Sequence, residues 1–335
     1  MKAVGLLAIY EGIAAVDSES ATTPFFAVKP VAGHSTYFVG KDADARACIL
    51  IATANERGRK PPPIRLENLD AQFELACMIR DPEGLVREGL FTVVRCRSLE
   101  TETIRYFLSV CRVIMGHLGN TPSRSSIAAA VRRIASIFQS IKIPPVRSLN
   151  GLFGELFMIS RSRSPTRAVA AWRIDEASRY DFASGDVRID VKSSATRARK
   201  HTFSYDQCNP PPGTEAVVLS MMVERIPGGL SLDRLIASIE ERVAGDEDLV
   251  LKLHEVVAST LGTSLSESMQ VTFDPRLAAT SLEFFDLREI PAVRGPLPPS
   301  VSDVRFTVDM SGLVALAKEA LIDRDPHFWD LVPGE

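Results

Sequence analysis

Residues 180–194 read YDFASGDVRIDVKSS. The second half, RIDVKS, has the period-two pattern of a strand. Ile189, Val191 and Ser193 fall to one side, and Arg188, Asp190 and Lys192 to the other. Gly185-Asp186 reads as the turn of a hairpin. If its two arms pair, Asp181 approaches Asp190. Two convergent carboxylates suit Mg²⁺, a hard cation that binds through one or two carboxylates together with substrate phosphate, and Mn²⁺ can substitute for it. An ammonium beside them can orient an attacking water or stabilise charge on a phosphoryl group. The plain alternative is a solvated strand face with a weak surface ion pair.

Upstream, SLNGLFGELFMIS (148–160) has helical spacing, with Leu152, Leu156 and Ile159 on one apolar stripe. Glu155 lies on the same stripe. A buried carboxylate is costly unless it is paired or binds metal, so Glu155 is either a functional acid or a stripe-edge residue that reaches solvent or an Arg. Gly151 and Gly154 cost ~1 kcal/mol each relative to Ala in a helix, and their small size admits a strand or a phosphate backbone. Downstream, SSATRARKHTF brings Arg197, Arg199, Lys200 and His201. The 335-residue chain has a net charge of −3, which by itself argues against a nucleic-acid partner. That figure averages two unlike blocks. Residues 161–200 hold ten Lys or Arg against five acids, and residues 230–290 hold twelve acids against five bases. A basic block around a carboxylate site suits a polyanion. Its alternative is a solvated loop.

At these residues the chain resembles the PD-(D/E)XK nuclease superfamily, and more closely a bacterial family with that motif found in restriction and phage-defence loci. The resemblance rests on GLFGELFMI, Trp172, RYDF, and DVKSS with the basic segment reaching His201 and Phe203. Gln207, FFDLREIPAV and VRFTVDMSGL support it more weakly. It implies a mixed α/β (α+β) fold: a restriction-endonuclease-like core with a mixed sheet of about four strands flanked by helices. It implies a Mg²⁺-dependent DNA endonuclease of a restriction or phage-defence system, or else a catalytically inactive subunit that binds DNA or assembles a complex. By the same resemblance Asp181 and Asp190 are metal ligands, Lys192 handles the water, and Glu155 is the helix glutamate that supports the metal. Arg197, Arg199, Lys200 and His201 would contact DNA, with Ser193 and Gln207 as auxiliary residues. Tyr180 stands where the motif has proline. An ATPase or methyltransferase subunit is a natural partner, and two cuts on a duplex favour a homodimer.

The flanks carry no chemical motif. The sequence divides into a strand-rich region with two helices (1–147), the nuclease-like core (148–228) and a C-terminal α+β region (229–335). In the first, the apolar run MKAVGLLAIYEG reads as a strand, with Glu11 and Asp17 too early for a signal peptide. TYFVG, ACILIAT and LFTVVRC read as further strands, and 102–117 and 125–141 as helices capped near Ser123. EAVVLSMMVE reads as a buried central strand. In the third, 231–243 and 248–261 read as helices, LEFFDLREIP and VRFTVDMS as strands, and DMSGLVALAKEAL as a closing helix. Five widely spaced cysteines and five scattered histidines give neither a disulfide framework nor a His-based metal site. No stretch is long and apolar enough for a membrane helix. A reduced, cytoplasmic protein is expected. Trp172 and Trp329 read as packing residues rather than base-stacking platforms. No phosphate-binding glycine loop or serine-nucleophile motif occurs.

Overall fold

β-Branched and aromatic runs dominate the first hundred residues, and they pair into one sheet. A computed structural model describes residues 5–14, 23–54, 57–145, 147–175 and 178–334. Asp17 and Glu176 lie outside the described residues. The chain divides into two units, Met1–Pro144 and Pro145–Glu335.

The first unit contains α1 (Leu6–Glu11), β1 (Phe25–Pro30), β2 (Tyr37–Lys41), β3 (Ala47–Ala52), β4 (Ile64–Arg65), β5 (Leu69–Arg80), β6 (Val86–Cys96), α2 (Thr101–Leu118) and α3 (Arg124–Ser140). The sheet order is β1-β2-β3-β6-β5-β4, and β1 also pairs in parallel with β5, closing a ring. Phe26, Phe38, Leu50, Ile79, Phe91 and Val93 are among the residues that pack together in its core. Ser123 caps α3 by accepting from the Ser126 N–H. One expectation fails here, because Leu6–Glu11 is a helix and not a strand. Its apolar residues are consecutive rather than alternating, and Gly5 and Gly12 bracket it as caps.

The second unit begins with α4 (Leu149–Arg161), α5 (Pro165–Ala171), β7 (Phe182–Ser184), β8 (Val187–Ser194), β9 (Lys200–Ser204), α6 (Tyr205–Cys208) and β10 (Glu215–Met222). It continues with β11 (Arg225–Ser231), α7 (Leu232–Arg242), α8 (Glu247–Leu261), α9 (Leu265–Met269), β12 (Thr272–Phe273), α10 (Pro275–Thr280), β13 (Glu283–Asp286), β14 (Arg305–Asp309), α11 (Lys318–Arg324) and α12 (Phe328–Leu331). Its main sheet has the order β13-β10-β8-β7. β10 runs parallel to β8, and the outer pairings are antiparallel. This is the mixed α/β architecture that the sequence implies. The apolar β10 is central and buried on both faces, as a strand with parallel pairing should be. α4 packs against β8 and, with α5, α7 and α8, builds a helical layer. Tyr180, Phe203, Val218, Phe285, Val308 and Met310 form a separate core cluster that includes residues of β9, β10, β13 and β14. β13 comes from beyond residue 228, so the C-terminal region contributes a strand to the core sheet.

The closing helix is shorter than expected. Asp309 Oδ1 accepts the Ser311 N–H, and Leu316 bridges Phe284 in extended form, so helix begins only at Lys318. No described helix is long and apolar enough to cross a membrane. All five cysteines are free and buried.

α4 lies close enough to β8 that a Cβ on Gly154 would stand 2.0 Å from Ser193 Oγ and 3.3 Å from Val191 Cγ1. Gly154→Ala should therefore destabilise the unit by ~1–2 kcal/mol despite its better helix propensity. Ser193→Ala in the same chain should restore most of that loss, as measured by urea unfolding of the two single variants and the double variant.

Candidate functional site

The site is built on the β7–β8 hairpin. Gly185 takes the positive φ (54°) that the two-residue turn requires. The register pairs Ser184 with Val187, Ala183 with Arg188 and Phe182 with Ile189. Continued by one step, it sets Asp181 opposite Asp190. The Val191 N–H donates to Asp181 Oδ2 at 2.8 Å, which fixes that carboxylate. The segment after α5 runs alongside: Trp172 bridges Phe182, and the Arg173 N–H donates to the Asp181 carbonyl at 2.9 Å.

Glu155 comes from the buried face of α4 and is almost fully enclosed. Trp172 Nε1 donates to Oε2 at 2.7 Å, and Arg173 Nη2 donates to both oxygens at 2.9 and 3.0 Å. Arg173 Nη1 also lies 3.1 Å from Asp181 Oδ1, so one guanidinium bridges the two acids. Arg147 Nη1 reaches the same Oδ1 at 3.1 Å and lies 3.9 Å from Glu155 Oε1. Glu155 is thus the arginine-paired stripe residue. Burial and then the neighbouring Asp181 charge push it up to about 7, against the pull of Arg173.

Asp190 is equally enclosed. Gln207 Nε2 donates to Oδ1 at 3.0 Å. Gln207 is itself set by a capping box with Ser204 at the start of α6. Lys192 Nζ lies 2.9 Å from Asp190 Oδ2 and 5.0 Å from the centroid of the Phe203 ring. Oδ2 is buried with Lys192 as its ion-pair partner and no further donor. Burial pushes Asp190 up to about 6, with Asp181 adding to the shift and Lys192 opposing it.

Two observations test whether these residues suit a divalent cation. The donors are carboxylate oxygens, the chemistry that Mg²⁺ takes, and Asp190 Oδ2 keeps acceptor capacity. Yet no group of three or more His, Cys, Asp or Glu among the described residues is placed to hold a metal ion. The fit is to a site of two carboxylates, Asp181 and Asp190. Both oxygens of Glu155 are taken by Trp172 and Arg173, and those of Asp181 by the Val191 N–H and by Arg147 and Arg173, so a cation bound at Asp181 would have to displace an arginine.

The basic residues divide sharply. Arg197 and Lys200 are exposed, paired with Glu224 and Asp309. Arg199 and His201, expected to face DNA, are instead buried and bonded internally. Arg199 donates to the Ser220 carbonyl and hydroxyl and to the Ser281 carbonyl, and pairs with Glu283. His201 Nε2 shares the Ser220 hydroxyl at 2.8 Å. Burial, with Lys192 and Arg199 adding, pushes it down to about 4 and keeps it neutral. Ser193 faces Gly154 rather than open solvent. The sequence reading missed Arg147 and the basic pocket. Arg173, Arg179, Tyr180 and Arg188 line a cavity of about 340 Å³ beside the acids. The basic block and the strand alternation that sets Arg188 with Asp190 were the available signals.

A family model described as "Putative PD-(D/E)XK family member (DUF4420)" matches residues 9–311. No curated protein and no solved structure matches the chain.

Because burial raises Glu155 above its ordinary 4.5, the folded chain holds a proton that the unfolded chain has released. The stability from this group is complete below pH 4.5 and is lost as pH rises through about 7. Glu155→Gln removes that loss. Denaturant midpoints at pH 5 and pH 8 should show the variant gaining on wild type by roughly 1–3 kcal/mol over the interval.

Proposed function

We propose that this chain, which belongs to the PD-(D/E)XK family, is a Mg²⁺-dependent endonuclease that hydrolyses DNA phosphodiesters in a cytoplasmic restriction or phage-defence system. The observation that carries this reading is Asp190, buried opposite Asp181 in the hairpin register, with one oxygen facing the Lys192 ammonium and no further donor. Asp181 and Asp190 would hold the cation. When bound, it supplies charge stabilisation for the phosphoryl group and acidifies a coordinated water.

The protein's own groups do the positioning. The Val191 N–H fixes Asp181, and Gln207 fixes Asp190. Lys192 Nζ is held between Asp190 and the Phe203 ring, where it can donate to a water or a phosphate oxygen. Arg179 and Arg188, in the cavity next to Tyr180, offer cations to the backbone of the substrate, and exposed Arg197 and Lys200 add salt-screened contacts. An ATPase or methyltransferase subunit would complete the system, and two cuts on a duplex call for a homodimer or a partner nuclease. A second reading, a non-catalytic subunit that binds DNA or assembles a complex, has one observation in its favour: Arg147 and Arg173 already neutralise Asp181 and Glu155.

The readings separate in a plasmid-cleavage assay with Mg²⁺ or Mn²⁺. Wild type should nick or linearise the plasmid. Asp190→Asn and Lys192→Met should each lose at least roughly 100-fold in rate while retaining the fold by circular dichroism. Salt-dependent DNA binding by wild type without cleavage would favour the second reading.

A further inference from the structure

Three acids and three bases of the same chain meet at the site. Glu155, Asp181 and Asp190 face Arg147, Arg173 and Lys192, so even with every acid ionised the bases balance them without any added ion. Adding a divalent cation would leave an excess of two positive charges in a largely buried place, an unfavourable arrangement in a low dielectric. One of the three bases is then the natural one to leave. Arg173 is 6% exposed and Lys192 18%, whereas Arg147 is 31% exposed. Arg173 is also held by hydrogen bonds to both oxygens of Glu155. Arg147, one residue before the Ser148 cap of α4, contacts Asp181 through Nη1 and can return its charge to water at the lowest cost.

We propose that Arg147 is a displaceable counter-ion of Asp181: its guanidinium neutralises the carboxylate before a divalent cation binds and leaves when one does. This inference rests on Asp181 being a metal ligand. It casts Arg147 as a positioning residue that keeps a buried acid paired until a cation arrives, and that sets the cation concentration at which the site fills.

The test is Mn²⁺ binding to the full chain at low salt, read from the electron paramagnetic resonance signal of free Mn²⁺. Wild type, Arg147→Gln, Arg147→Lys and Asp190→Asn are compared, with thermal midpoints confirming that each is folded. Arg147→Gln should bind Mn²⁺ roughly tenfold more tightly than wild type, as removal of one nearby positive charge requires. Arg147→Lys should fall between them, and Asp190→Asn should lose the site. Equal or weaker binding by Arg147→Gln would overturn the counter-ion role, while Mn²⁺ binding lost in Asp190→Asn would leave the nuclease reading standing. Absence of site binding in every variant would overturn both.

Discussion

The carboxylate of Asp181 is the point on which the site depends. One oxygen takes the Val191 N–H and so clamps the start of the hairpin to its return strand. The other meets the guanidinium groups of Arg147 and Arg173, from the approach to α4 and the exit of α5. Its main-chain carbonyl accepts the Arg173 N–H. Three segments, ahead of α4, after α5 and along β8, converge there because a buried carboxylate must be paired. Its charge also pushes up both Glu155 and Asp190. The same group is therefore a structural clamp and the electrostatic centre of the candidate chemistry.

The hairpin was legible because its signals are local. Alternation, a Gly-Asp turn and one apolar run specify β7, β8 and β10 without reference to distant contacts. Glu155 was legible as a problem, an acid on an apolar stripe, but the sequence alone left both a functional and an arginine-paired solution open. The partner proved to be Arg173, one residue past the quoted Trp172. Long-range pairing defeated the reading elsewhere. β9 pairs with β14, about a hundred residues later, and Arg199 is covered through Ser281 and Glu283. Charge counting cannot distinguish a solvated arginine from one enclosed by a strand that arrives so late. The opening helix was misread for a simpler reason: a short apolar run carries no period, and its flanking glycines were the only usable sign.

The family match covers residues 9–311 and so extends through most of both units. The residues of the candidate site all lie in the second. The first supplies a closed ring of strands and two long helices, with Glu74 at a positive φ (47°) where β5 shifts register, paired to Arg124 at the start of α3. A non-glycine residue in that conformation is strained, and here an ion pair and a strand irregularity hold it in place.

The most direct test of the central claim is a crystal structure of the protein soaked in Mn²⁺ and read for anomalous scattering at the β7–β8 hairpin. One peak bonded to carboxylate oxygens of both Asp181 and Asp190 is expected, with Glu155 still held by Trp172 and Arg173. A hairpin with no peak at saturating Mn²⁺, its acids still paired to Arg147, Arg173 and Lys192, would contradict it.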